Sequence, residues 1–186
     1  GTLDGGDVMV VGRHIFVGLS ARTNDAGLDQ FNHHVAAYGY TCTGIPLAAG
    51  LHLKSSVNSL GGNRLLITTD LVPRPEFRDY ELVPVDADEV YAANVLAING
   101  HLLMAAGFPK TQARLERLGF VITLDMSEMM KMDGGLTCLS LRLRPSNSRP
   151  QEKSCQIMSE SILARAVAHQ LGALSEGIFG ASRCRA

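Results

Sequence analysis

Apolar residues along this chain come in short alternating bursts, and most bursts come in pairs. Val8 to Val11 and His14 to Leu19 are two runs joined at Gly12-Arg13, a pattern that predicts a β-hairpin. The polar stretch Thr23-Asn24-Asp25 then opens a helix to about Ala37, with Thr23 or Asn24 as its cap. Leu28, Phe31, Val35 and Ala36 give that helix an apolar face, and Gly39 ends it. Tyr40 to Pro46 reads as a strand.

The same order recurs. Val57 to Leu60, a turn at Gly61-Gly62-Asn63, and Leu65 to Thr69 predict a second hairpin. The Pro-rich connection Val72 to Tyr80 leaves room for a short helix at most, and Glu81 to Val85 is a strand. Asn94 to Ile98, Asn99-Gly100 and His101 to Ala106 predict a third hairpin around the strongest short turn signal. A helix from about Lys110 to Leu118 turns Ala113, Leu115 and Leu118 inward, Gly119 stops it, and Phe120 to Asp125 is the next strand. A short helical turn, Ser127 to Met132, follows. Asp133 to Leu143 then carries a Gly-Gly turn into alternating residues. Leu139, Leu141 and Leu143 fall on one face, and Ser140, Arg142 and Arg144 on the other. Cys138 stands at the entry of that expected strand.

A hairpin–helix–strand unit thus occurs three times, with turns near Gly12, Gly62 and Gly100, and the cysteine strand opens a further copy. Repeats at this period predict a propeller or array that closes by stacking its units. The class is α+β. Pro145 ends the repeats, which divides the chain into 1–145 and a different tail, 146–186. The tail holds one helical stretch, about Ser159 to Leu174, with an apolar stripe.

Composition narrows the classes of function. A net charge of -1 over 186 residues gives no strong pull toward nucleic acid or a membrane surface. The apolar runs are too short to span a bilayer, and no basic-then-apolar leader is seen. Cys42, Cys138, Cys155 and Cys184 have no zinc-site spacing, so no metal is expected. Sparse cysteines fit a reducing cytoplasm. The chain opens on Gly, and a motif begins within three residues of it, as expected of a fragment.

Four motifs sit at junctions between elements: Leu3-Asp4-Gly5-Gly6-Asp7, Leu19-Ser20-Ala21-Arg22-Thr23-Asn24, Gly50-Leu51-His52-Leu53-Lys54-Ser55 and Gly135-Leu136-Thr137-Cys138. Each alone has a bland reading: a solvated turn, a surface arginine, a core histidine, a small core cysteine. Their joint placement is more specific. His52 and Cys138 occupy matching places in the repeat, just after the strand that precedes a hairpin. In a radially repeated fold such places face one axis, so the two meet across a central pocket. Cysteine with histidine is the minimum for thiolate catalysis, and a nearby carboxylate orients the imidazole.

With these residues in order, the chain resembles the dimethylarginine dimethylaminohydrolase family of guanidino-group-modifying enzymes, which includes arginine deiminases and amidinotransferases. The likeness covers about Gly1 to Arg144. It is carried by Thr2–Val8, Phe16–Asn24, Gly50–Ser55, Tyr91-Ala-Ala-Asn94, Met126-Ser-Glu128 and Asp133–Cys138. Arginine deiminases typically have an aspartate two residues after the catalytic histidine, where this chain has Lys54.

The resemblance implies a pentein-type α/β propeller of five units, of which about three are present here. It implies hydrolysis of methylated arginine to citrulline and methylamine or dimethylamine, a reaction at the C–N bond of a linear amidine that needs no cofactor. Cys138 becomes the nucleophile, His52 the general acid/base and Asp4 its supporting acid. Arg22 is expected to hold the substrate carboxylate, with Asp133, Met132 and Asp7 at the substrate pocket. The family's N-terminal stretch, with further guanidinium-clamping carboxylates, has no counterpart, and the tail from Ser146 matches nothing in the family. Two other outcomes stay open. One is a truncated, non-catalytic binding or regulatory module. The other is a related deiminase acting on arginine or agmatine. Unpaired sheet edges left by the missing units predict self-association.

Overall fold

Three sheets of three strands each form the body of the protein, and each is built from one repeat of the sequence. The computed structural model describes residues 1–47 and 52–141. Gly1–Cys138 is one compact unit. The end of the expected cysteine strand, the 146–186 region and its expected helix lie outside the described residues.

The first unit holds β1 (Val8–Val11), β2 (His14–Leu19), α1 (Asp25–Ala36) and β3 (Thr41–Pro46). Strands β1 and β2 pair antiparallel with Val8 opposite Val17, and β2 pairs parallel with β3 from His14 opposite Thr41. Gly12 makes the hairpin possible by taking φ +60°, a conformation that costs an L side chain energy. Asn24 caps α1, its side chain accepting from Gly27 N at 2.9 Å. Leu28, Phe31 and Val35 are half-buried, whereas Ala36 is exposed and lies off the packed face.

The second unit holds β4 (Val57–Gly61), β5 (Arg64–Thr68) and β6 (Glu81–Val85) in the same antiparallel-then-parallel order. Where the other units carry a helix, this one has only a 3₁₀ turn, Pro75–Phe77, as its prolines dictate. The third unit holds β7 (Leu96–Ile98), β8 (His101–Ala105), α2 (Pro109–Glu116) and β9 (Phe120–Leu124), followed by α3 (Ser127–Met130).

Strand β1 packs against β4, and β4 against β7, so the first strands of the units are neighbours. Leu65, Leu66 and Ile67 are consecutive and wholly buried, because β5 has a core on both faces. Leu65 and Ile67 join Met9, Phe16, Ile45, Leu53 and Phe77 in one cluster. Leu66 joins Val85, Val95, Met104 and Leu115 in the other. Among the described residues no helix is long and apolar enough to cross a membrane.

Three local expectations are corrected. Asn94 does not begin a strand. It follows a 3₁₀ segment, Ala87–Ala93, and β7 starts at Leu96. Ala113 is exposed: α2 turns Leu115 inward as expected, with Thr111 beside it in place of Ala113. Cys138 lies in a turn spanning Leu136 to Leu139, and no strand has formed by Leu141, which is 85% exposed. The turn is held locally, by Cys138 N donating to Gly135 O at 3.1 Å and by Thr137 N donating to the Asn94 side chain.

Candidate active site

The Gly-Gly pair before β1 shapes the first wall of the site. Asp4 caps the 3₁₀ turn Gly5–Asp7, its Oδ1 accepting from Gly6 N at 2.8 Å. The Asp4 backbone N donates to Thr23 Oγ1 at 2.9 Å. Gly6 lies directly under the His52 imidazole: a Cβ there would come within 2.5 Å of the ring. Only a residue without a side chain lets the ring approach this closely.

His52 is half-buried and precedes the 3₁₀ turn Leu53–Ser55. Its Nε2 is 3.2 Å from Asp4 Oδ1 and 3.4 Å from Arg22 Nη1. A carboxylate can only accept and a guanidinium can only donate. With its proton on Nε2, the ring donates to Asp4, and Arg22 is a neighbouring cation. The Gly6 amide holds the Asp4 carboxyl below the usual carboxylate range; partial burial opposes this, and His52 and Arg22 add to it.

Asp7 is not at the pocket. It is wholly buried, and neighbouring donors occupy both its oxygens. Oδ2 accepts from Ser20 Oγ and Thr23 Oγ1, each at 2.7 Å, and Oδ1 accepts from Leu53 N at 2.9 Å. Asp7 therefore ties the loop that carries Arg22 to the turn that follows His52. Its expected contact with substrate is replaced by this internal role, because no face of the carboxylate reaches solvent. Gly18 makes room for it: a Cβ there would sit 3.0 Å from Asp7 Oδ1.

Cys138 is exposed. The segment before it is fixed from behind by Tyr91, whose hydroxyl donates to Gly134 O at 2.5 Å, and by Asn94. Burial, with a smaller contribution from Cys138, pushes the Tyr91 phenol up. Gly135 likewise leaves no room for a side chain, since a Cβ would meet the Asn94 amide at 2.7 Å.

These segments border a half-open cavity of about 300 Å3, lined by Asp4, Gly6, His52, Lys54, Asn94, Thr137 and Cys138 among others. A cavity of that size suits a small molecule. The thiol, the imidazole and its carboxylate share one chamber, although they lie far apart in sequence. Arg22 stands outside the lining but touches His52. Met132 and Asp133 are exposed and also outside it, on the turn after α3, where Asp133 takes φ +55°. Among the described residues no group of His, Cys, Asp and Glu could hold a metal ion. Gly6, Ser20 and Thr23 stand inside the sequence motifs, but their roles beneath His52 and around Asp7 are visible only in the structure. Tyr91 and Asn94 stand in the sequence as part of the Tyr91–Asn94 motif, and their hold on the Gly134–Thr137 segment is visible only in the structure.

No protein-family model matches the chain. Curated relatives do. The chain is 41% identical over 143 residues to the N(G),N(G)-dimethylarginine dimethylaminohydrolase of Pseudomonas aeruginosa, covering 76% of this chain and 56% of that protein. It is 39% identical over 147 residues to the enzyme of the same name from Streptomyces coelicolor, covering 77% and 55%. The solved structure of a cysteine-to-serine mutant of the P. aeruginosa enzyme, complexed with citrulline, superposes with a TM-score of 0.74 at 39% identity, covering 76% of this chain and 56% of that one. The three units are therefore those of a partial pentein propeller. Within the pentein superfamily, the chain is similar to the dimethylarginine dimethylaminohydrolases at about 40% identity over 76% of its own length. It spans about half the length of the curated relatives it matches.

Proposed function

We propose that this chain carries the thiol machinery of a hydrolase that converts methylated arginine to citrulline and methylamine or dimethylamine. The observation behind this reading is that Cys138, His52 and Asp4 line one cavity. The guanidinium carbon is a poor electrophile, because its positive charge is spread over three nitrogens. A bound guanidinium beside the sulfur favours the thiolate, which attacks that carbon. His52 gives its proton to the departing amine, and the C–N bond breaks to leave an S-linked amidinium. Water, deprotonated by His52, then adds to the same carbon, and the C–S bond breaks to release citrulline and the thiolate. Asp4 holds the imidazole and offsets its charge.

Arg22 is the candidate for the substrate carboxylate, since its planar fork matches two oxygens. Lys54 in the cavity lining favours dimethylarginine over arginine as substrate, for it stands where arginine deiminases typically have an aspartate. A reduced thiol is required, which fits a reducing compartment such as the cytoplasm.

Direct measurement of citrulline from dimethylarginine tests the reading, with the chain alone and with the N-terminal half of a relative added in trans. Citrulline that depends on Cys138 supports it. No citrulline in either arm favours the second reading, a binding module without turnover.

A further inference from the structure

The two halves of the chemistry stand on separate segments, and one buried side chain is bonded to both. Asn94 is only 7% exposed. Its Nδ2 donates to Lys54 O at 3.1 Å, two residues beyond His52, and to Thr137 Oγ1 at 3.0 Å. Its Oδ1 accepts from Thr137 N at 3.0 Å, one residue before Cys138. The orientation of the amide is determined by these partners. Reversed, it would set oxygen against the Lys54 carbonyl and NH2 against the Thr137 amide. Asn58 braces the same carbonyl, donating to Lys54 O at 2.7 Å and to Ala93 O at 2.8 Å. Gly135 lets the cysteine segment lie flat against the Asn94 amide.

We propose that Asn94 is a positioning residue that sets the spacing of Cys138 from His52 by fastening the segment of each to one amide. The inference rests on the thiol-hydrolase reading. The task needs a side chain that is donor and acceptor at once. Aspartate matches asparagine in size but lacks the donor, and it would face the Lys54 carbonyl with repulsion. Leucine would remove the acceptor that Thr137 N uses and one of the donors to the Lys54 carbonyl.

The test uses the full chain and its Asn94→Asp and Thr137→Val variants. The Thr137 change removes one acceptor and leaves the backbone bond, so it informs even if Asn94→Asp folds poorly. Two readouts are taken: hydrogen exchange by mass spectrometry, and the alkylation rate of Cys138 by chloroacetamidine, with Cys42 as internal reference. In Asn94→Asp, exchange should quicken about tenfold in peptides covering 52–55 and 135–138 while the β8 peptide is unchanged. Cys138 labelling should slow about fivefold relative to Cys42, and Thr137→Val should show a smaller change of the same kind. Unmoved exchange in both segments, or equal loosening of β8, would overturn the positioning role while leaving the thiol reading intact. A parent chain that labels Cys138 no faster than Cys42 would overturn the thiol reading itself, and the positioning role with it.

Discussion

At the residue scale, the site depends on two places where a side chain is missing and one where a carboxylate is hidden. Gly6 and Gly135 admit the His52 ring and the Asn94 amide, and Asp7 ties the surrounding loops. Gly6→Ala would put a methyl 2.5 Å from the imidazole and push the ring off Asp4. Overpacking of this kind costs about 1–3 kcal/mol. The expected result is a modest fall in Tm with at least a tenfold loss of His52-dependent turnover, checked by calorimetry beside a citrulline assay in a complemented, active form. Arg22 tests differently. Arg22→Ala should raise KM for methylated arginine more than it lowers kcat, because it removes ground-state binding of the carboxylate. An unchanged KM would make Arg22 a surface residue that merely touches His52.

At the element scale, α2 depends on a cap its own sequence lacks. Phe108 offers no side-chain bond at its start. Glu89, buried in the preceding 3₁₀ segment, supplies it. Its Oε1 accepts from Lys110 N at 3.0 Å and its Oε2 from Thr111 N at 2.7 Å. Burial would raise the Glu89 carboxyl, but these bonds outweigh it and hold the group below its usual value. Glu89→Gln should cost about 1–2 kcal/mol in urea unfolding at pH 7. The sign of the pH effect follows from the lowered pKa: the stabilisation is fully present above the unfolded value of about 4.3 and is lost as pH falls through the folded one. The parent and Glu89→Gln curves should therefore converge on the acid side.

This cap shows why some elements were legible in the sequence and others were not. The hairpins at Gly12, Gly62 and Asn99-Gly100 are local, since turn residues and alternation lie within a dozen positions of each other. The structure has all three, and α1 starts where Asn24 caps it. On α2, Leu115 is buried as its pattern implies, but Ala113 is exposed and Thr111 takes the inward place, its amide held by a carboxylate distant in sequence. The turn at Cys138 was misread as a strand entry for the same reason: alternation from Leu139 onward says nothing of the Asn94 amide that holds Thr137. The site shows the same division. His52 and Cys138 were visible as motifs at matching places in the repeat. The burial of Asp7 was not, because three donors from two other segments decide it.

At the scale of the whole molecule, three stacked units leave sheet edges with no further unit against them in the described residues. Val10 on β1 and Phe120 on β9 are 51% and 58% exposed. Unpaired edges with apolar side chains favour pairing with another chain. Light scattering across a concentration series should show association; a strictly monomeric, sharply melting species would contradict this expectation.

Whether Cys138 acts with His52 in one chamber can be read from covalent labelling. A chloroacetamidine carries an amidine cation that mimics the guanidinium and an alkylating carbon that captures a thiolate beside it. Limited labelling of the full chain, followed by peptide mapping, reads all four cysteines at once. Cys138 should be modified well before Cys42, Cys155 or Cys184, and excess dimethylarginine should slow its modification alone. Equal modification of the four cysteines, with no protection by dimethylarginine, would contradict it and leave Cys138 an ordinary exposed thiol.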